Sequence, residues 1–495
     1  MITRYADPRV DAISCDEAKV KRWQDSELAV IEARVNLNLA PRNVFETTKA
    51  ILEANPCDIG WWLRREKETQ HDLTAFIDER LRYIPPEMQA EWHKDMTSYD
   101  TEDAAFALAL LQFAAIVSED LEKLIGLMKG FALRERYTLM LERTHGQWAK
   151  LRSFGGRILT WLAPLLFAHE QLKRAAANCR QSRISGAIGN YGGGLSPEIE
   201  FEALRILGLT PFYGATQILP RIVQAPLAQS VRLVGEALGQ IAVDFRLGAR
   251  SGKSLWHEPF AKEQKGSSAM PHKKNTIGTE QIDGMLDLLS GSEASVLRSI
   301  QTWEARAIEQ SCVERVAWPD LFHEILRMIS VMHRVLGGMV IYRDHMLQEI
   351  QDSRETYASD EAKNFLALEC GKRGIEFETA YRIVQLASFC AFKPTEYWAK
   401  VRETRPSFDL READELLQES YNAPFKQSLG IKEIIKKGKL FRVEGLKATE
   451  KDVASWNVFL SEIFSGADTR ARWDALFNPS YLLKGEGFLF SKILG

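Results

Sequence analysis

Along the middle of the chain, apolar positions recur every three or four residues. Leu227, Val231, Val234, Leu238, Ile241 and Phe245 are spaced 4, 3, 4, 3 and 4 apart. Such a seam predicts a helix whose narrow apolar stripe faces a nearly parallel neighbour. Leu321, Ile325, Met328, Ile329, Met332, Val335, Leu336 and Met339 predict a second striped helix. A proline-free run over about 102–142 predicts one long helix, or two joined near Gly126 and Gly130, and another helix is expected over about 276–306. Four long striped segments predict a helical bundle at the centre of an all-α chain. The expected division is an N-terminal helical domain (1–97), a central long-helix bundle (98–345) and a C-terminal helical domain (346–495). Strand-like alternation is scarce, and Lys439–Val443 is the best candidate.

Three segments with turn chemistry interrupt the helices: 185–194, 248–253 and 265–275. In the third, Gly266 frees the backbone and Ser267, Ser268, Pro271, His272, Lys273, Lys274 and Asn275 follow. Glu280 lies on the next predicted helix. The segment presents hydroxyls, backbone N–H groups and a cation to one small volume. The positive end of the following helix is expected to favour an anion there. By composition alone, the segment reads equally as a polar surface loop ahead of a helix.

Composition narrows the classes. Hydrophobic residues at 45% and charged residues at 26% exclude a disordered or collagen-like chain. With 64 Lys and Arg against 67 Asp and Glu, the net charge is −3. Neither nucleic acid nor an anionic membrane is drawn to such a surface, so an anionic ligand needs a local cluster. Six scattered cysteines show no CxxC spacing, which argues for reduced thiols. No signal-like apolar segment opens the chain, and no purely apolar run approaches the ~20 residues of a membrane span. A soluble, cytoplasmic protein is expected. The glycines at 186–194 match neither dinucleotide nor P-loop patterns. His257-Glu258 is not HExxH, and no cluster has metal-ligand spacing, so no metal or cofactor is expected. The basic run Lys432–Lys439 reads as a solvated face.

The stretch Gly266-Ser267-Ser268-Ala269-Met270-Pro271-His272-Lys273-Lys274-Asn275, with Glu280 five residues on, resembles the signature loop of the fumarase/aspartase superfamily. Further segments resemble its adenylosuccinate lyase branch. These are Arg4-Tyr5, Gln70-His71-Asp72-Leu73-Thr74-Ala75-Phe76, Thr97-Ser98-Tyr99-Asp100, Arg143-Thr144-His145-Gly146-Gln147 and Thr216-Gln217. To them are added Trp303-Glu304-Ala305-Arg306, Ser311 and Glu314-Arg315. The matches run from residue 4 to about 320. Departures are Gln70 where Lys or Arg is usual, Thr276 for a proline, Ala307, Glu309 and Gln310, and the glycine-rich 192–194. They leave the acid, the base and the signature loop intact.

The resemblance implies an all-α fold and a homotetramer with sites shared between subunits. It implies anti β-elimination of fumarate from adenylosuccinate and from the succinyl-aminoimidazole-carboxamide ribotide. Argininosuccinate lyase and carboxymuconate cycloisomerase are the alternatives within the superfamily, and a helical scaffold without catalysis is the alternative outside enzymology. By resemblance Ser267 is the base and His145 the acid. His71 binds substrate and supports protonation. Lys273 and Asn275 stabilise the aci-carboxylate, and Glu280 orients Lys273 or His145. Arg4, Tyr5, Gln70, Asp72, Thr97, Ser98, Gln217, Ser268, Arg306, Ser311 and Arg315 bind substrate. Arginine suits phosphate and carboxylate because its planar fork matches them bidentately. Thr97 and Ser98 have a second reading, as caps of a helix starting near Thr101.

Overall fold

The computed structural model describes residues 1–252, 254–392, 429–443 and 446–495. Lys253, at the end of the second turn segment, lies outside the described residues. Backbone contacts divide the chain into two compact units: residues 1–128, 161–250 and 256–340 form one, and 129–160, 251–255 and 341–495 the other.

The first unit holds the long-helix bundle. Its helices are Ser98–Arg134, which runs into the second unit, and Ala225–Gly248, Ile277–Arg298 and Glu309–Gly337. Every residue of the first predicted seam is fully buried, and so is the second stripe through Leu336. Met339 lies beyond the end of its helix. Glycine permits the closest approach in the bundle. A Cβ on Gly239 would lie 2.6 Å from Leu286 Cδ2, and one on Gly235 would collide with Leu289. Phe113 and Phe322 stack with centroids 4.5 Å apart, tying the Ser98–Arg134 helix to the Glu309–Gly337 helix. By length and composition the Ser98–Arg134 helix could cross a membrane, but half of its apolar window is buried, as in a core helix. Towards the N-terminus, Trp23, Trp62, Phe76 and Trp92 anchor a second cluster.

The second unit departs from the helical expectation. The long helix passes unbroken over Gly126 and Gly130 but ends at Arg134. Residues Leu139–Thr144 and Gln147–Ser153 then form an antiparallel hairpin, so the helix expected to reach 142 is corrected to helix and strand. Leu141 and Leu151 face each other across the ladder and enter a core with Phe365, Phe464, Trp473 and Phe477. The expected strand at Lys439–Val443 is not one. The Asn457 side chain donates to the Leu440 carbonyl and accepts its N–H, both at 2.9 Å, satisfying the backbone without a ladder. The basic run at 432–439 is partly paired: Lys432 and Lys436 both reach Asp474.

The expected helix over 276–306 is shorter, Ile277–Arg298. An irregular connection follows, with Glu304 at φ +55°. It carries Arg306 ahead of the Glu309–Gly337 helix, which bears Ser311 and Arg315.

Candidate functional site

The expected binding residues belong to the first unit, and half of them form a wall of paired side chains. His71 caps the helix Asp72–Leu81, and its Nδ1 accepts the Thr74 N–H at 3.4 Å. That leaves Nε2 facing Ser98 Oγ at 3.3 Å, where the Ser98–Arg134 helix begins. Asp72 is buried. Its Oδ1 accepts the Leu73 N–H, and its Oδ2 accepts Arg315 Nη2 at 2.6 Å. Burial works against the Arg315 charge, but Asp72, Glu102 and further acidic groups together outweigh it and the guanidinium is held more firmly protonated.

Beside this group, Arg306 Nη1 donates to Gln217 Oε1 at 3.0 Å, while Gln217 Nε2 donates to the Ala187 carbonyl. Thr216 Oγ1 donates to the Ala305 carbonyl at 2.7 Å. The Arg306 guanidinium lies 4.3 Å from the ring centroid of buried Tyr99, the residue after Ser98. Thus His71, Asp72, Ser98, Gln217, Arg306 and Arg315 come together. The Ser311 side chain is buried at the start of the helix that carries Arg315.

Behind the wall lie residues to which motif reading gave no role. Asp100 is fully buried and accepts the N–H groups of Thr97, Ser185 and Gly186, with the Arg183 guanidinium at 2.6 Å. The helix begins at Ser98, ahead of the expected start near Thr101, and the Asp100 side chain, not that of Thr97 or Ser98, takes up the Thr97 N–H. His93, at φ +54°, places Nδ1 2.8 Å from Glu27 Oε1, which also accepts Thr101 Oγ1. Burial opposes its protonation, but the Glu27 carboxylate outweighs burial and raises its pKa. Its placement four residues before Thr97 was the available signal. Glu102 lines a cavity of about 260 Å³ with Lys19, Arg22 and Arg315. Burial, reinforced by Asp72 and Glu314, pushes its pKa up to about 8.

Gln70 adopts φ +54° at the end of the Ile59–Thr69 helix and folds its amide back onto the Lys67 carbonyl. Within the glycine-rich 192–194 stretch, Gly194 makes room for Asp95, which bridges to Arg34 and would collide with a Cβ there, while Gly193 holds φ +86°. Arg4 is exposed in the N-terminal turn. Arg327 lies over the Tyr5 ring at 5.9 Å, and the Asp7 N–H donates to His323 Nδ1 at 2.9 Å. These contacts hold the turn on the Glu309–Gly337 helix.

The signature loop also belongs to the first unit and is mostly exposed. Ser267 Oγ accepts the N–H groups of Ala269 (3.3 Å) and Met270 (3.1 Å). Asn275 Nδ2 donates to the Gly266 carbonyl at 2.9 Å. Gly266 lies so close to the Lys273 carbonyl that a Cβ would collide with it. Ser268, Lys273 and Glu280 are exposed, and among the described residues no hydrogen bond or ion pair joins this loop to the wall. The helix end expected to favour a bound anion is already occupied. Glu258, buried, accepts the Gly278 and Thr279 N–H groups at 2.9 and 2.7 Å. That expectation is corrected: the chain supplies its own carboxylate.

His145 belongs to the second unit. Thr144 pairs with Gln147, so His145 and Gly146 are the two central residues of the hairpin turn, at φ +53° and +76°. Two successive positive φ angles suit the twist of a two-residue hairpin. The imidazole is held at an exposed tip, with neighbouring Arg143 ion-paired to Glu349.

A family model described as lyase matches residues 2–290. An adenylosuccinate lyase from Synechocystis sp. is 34% identical over 385 residues, 78% of this chain and 87% of the relative. One from Thermotoga maritima is 31% identical over 85% of this chain and 96% of the relative. The chain belongs to the lyase family, among the adenylosuccinate lyases. Its fold is that of a 3-carboxy-cis,cis-muconate lactonizing enzyme from Pseudomonas putida, with a TM-score of 0.74 at 17% identity over 99% of this chain and 96% of the other. A fumarate lyase from Mesorhizobium sp. BNC1 gives a TM-score of 0.71 at 18% identity, covering 96% and 99%. At such identities the likeness shows the all-α fold alone.

Proposed function

We propose that the chain cleaves the C–N bond of adenylosuccinate, releasing AMP and fumarate, and treats the succinyl-aminoimidazole-carboxamide ribotide in the same way. The wall anchors the substrate: Arg306 and Arg315 meet its phosphate and carboxylates, while His71, Ser98 and Gln217 offer hydrogen bonds. Arg4 and Tyr5 contact the nucleotide.

The Ser267 alkoxide takes the proton from the carbon beside a succinyl carboxylate. The electron pair left behind spreads into that carboxylate as an aci-carboxylate, which Lys273 and Asn275 stabilise as preorganised donors. The pair then forms the C=C bond of fumarate as the C–N bond breaks, and His145 protonates the departing nitrogen. Imidazole suits that step because its ordinary pKa of ~6.5 is close to a neutral working pH.

The observation that carries the reading is the Ser267 oxygen accepting two backbone N–H groups inside the signature loop. Donors aimed at that oxygen favour its charged form, which a serine base requires. Mixing the purified chain with adenylosuccinate and following absorbance tests it, with argininosuccinate and carboxymuconate as comparison substrates. Turnover of either comparison substrate without turnover of adenylosuccinate overturns the assignment.

The same reading includes a homotetramer in the cytoplasm with sites built from several chains. Leu233, Val243 and Leu247 on one bundle helix, Leu288 on the next and Val316 on a third are exposed apolar side chains that a second copy would cover. Inactive Ser267→Ala and His145→Ala tetramers should regain partial activity when subunits exchange. No recovery after demonstrated exchange counts against shared sites.

A further inference from the structure

We propose that His257 and Glu258 are positioning residues that staple the base of the 259–277 loop. They present Ser267, Lys273 and Asn275 on a closed ring instead of a loose strand. For its catalytic consequence the inference rests on the function proposed above.

Three interleaved cross-links define the ring. The first is Glu258, 4% exposed, which accepts the Gly278 N–H, the Thr279 N–H and, at 2.8 Å, Thr279 Oγ1. The two N–H groups belong to the first turn of the Ile277–Arg298 helix and would otherwise lack partners. Thr276, in the N-cap position, makes no side-chain capping bond. The helix after the loop is therefore capped by the residue before it. Gly278 makes this possible: a Cβ there would lie 2.8 Å from both Glu258 Oε2 and Val335 Cγ2. The second link is His257, whose Nε2 lies 3.1 Å from the Lys274 carbonyl and whose Nδ1 lies 3.2 Å from the Glu258 carbonyl; the link to Lys274 forms with the ring proton on Nε2. The third is the bond from Asn275 to the Gly266 carbonyl. Ser267 lies inside all three.

Neither His257 nor Glu258 has a reacting atom to touch in the proposed chemistry. Their effect is on the loop's freedom. Tying the two ends of a segment together removes most of its large excursions. Reaction rates fall steeply when such a group drifts, by about 10²-fold for an ångström of misplacement.

Two substitutions test the clamp. Glu258→Gln keeps the size but turns an NH₂ towards an N–H, and His257→Leu removes the donor. His257→Gln is the rescue, because its amide nitrogen can reach the same carbonyl. Glu258→Gln is expected to lower kcat by about 10- to 100-fold with KM changed little. His257→Leu should lower kcat less, and His257→Gln should restore most of the loss. Trypsin should nick at Lys265, Lys273 and Lys274 faster in Glu258→Gln and His257→Leu, without faster nicking elsewhere.

Parental kcat and nicking rates in both variants overturn the proposal. So does equal loss in His257→Leu and His257→Gln, or a loss that only follows the melting temperature. If Glu258→Gln fails to fold, the two His257 variants decide. If the parent does not turn over adenylosuccinate, the proposed reaction fails, while loop nicking still decides whether the clamp exists.

Discussion

The binding wall and the signature loop, both in the first unit, are built in opposite ways. In the wall, Asp72 holds Arg315, Gln217 holds Arg306 and Tyr99 supports the same guanidinium. In the loop, Ser268 and Lys273 are exposed, and order comes from the base and from backbone bonds to Ser267. In the proposed function the wall is the part set in place before an anion arrives. The loop, with a defined neck and an exposed rim, is the part that closes over the substrate. Binding and chemistry should therefore respond separately to substitution.

The largest effects are expected from the chemistry. Ser267→Ala and His145→Ala should each reduce kcat by about 10²–10⁴-fold or more, the usual scale for an acid or base. Helix content by circular dichroism should stay unchanged. Lys273→Ala should cost about 10²–10³-fold, as for loss of one preorganised donor. If the division is real, KM should move little in all three. A near-parental kcat in Ser267→Ala or His145→Ala removes that residue from its role.

The wall should answer in KM. Arg315→Ala and Arg306→Ala each remove a charge-assisted contact, worth about 1.5–3 kcal/mol, or roughly 10- to 150-fold in affinity. Asp72→Asn should raise KM less, because Arg315 remains but loses the partner that aims it. A double-mutant cycle on Asp72 and Arg315 should show coupling, since they are in direct contact. Additive effects would mean that Asp72 does not orient Arg315. A fall in kcat without a rise in KM would erase the distinction between wall and loop.

The sequence disclosed these two regions unequally. The bundle helices were legible because one buried stripe at helical spacing, Leu227 to Phe245 above all, leaves a periodic mark. Candidate side chains were legible wherever chemistry sits in a short motif, as at 266–275. The hairpin was not. Leu139–Ser153 is short, has a register shift between Leu141 and Arg143, and turns through His145-Gly146 instead of the commoner Asn-Gly or Asp-Gly. Long-range partners were equally hidden. Nothing local to His93 announces Glu27, and nothing in Lys439–Val443 announces that Asn457 satisfies its backbone. Glu258 was set aside because it fails a metal motif, whereas its task is to cap a helix across a loop. Tertiary hydrogen bonds have no period, so only coordinates reveal them.

The smallest predicted effect concerns Glu102, one turn beyond Ser98, which bears on how the wall attracts anions. Burial, then Asp72 and Glu314, raise its pKa to about 8, while Arg306 and Arg315 pull the other way. An ordinary glutamate ionises near ~4.3 in an unfolded chain. Between about 4.5 and 8 the folded chain thus retains a proton that the unfolded chain has lost. Stability contributed by the neutral carboxyl is present at acid pH, falls as pH rises through this window, and levels off above it. Glu102→Gln should therefore gain melting temperature relative to the parent as pH is raised from 5 to 9. A neutral Glu102 also leaves the charges of Arg306 and Arg315 available to substrate. Parental KM should rise above pH 8, and the rise should be smaller in Glu102→Gln. A melting difference that stays flat across the range would mean that Glu102 ionises normally. The wall's pull on anions would then have to overcome a fixed negative charge at neutral pH.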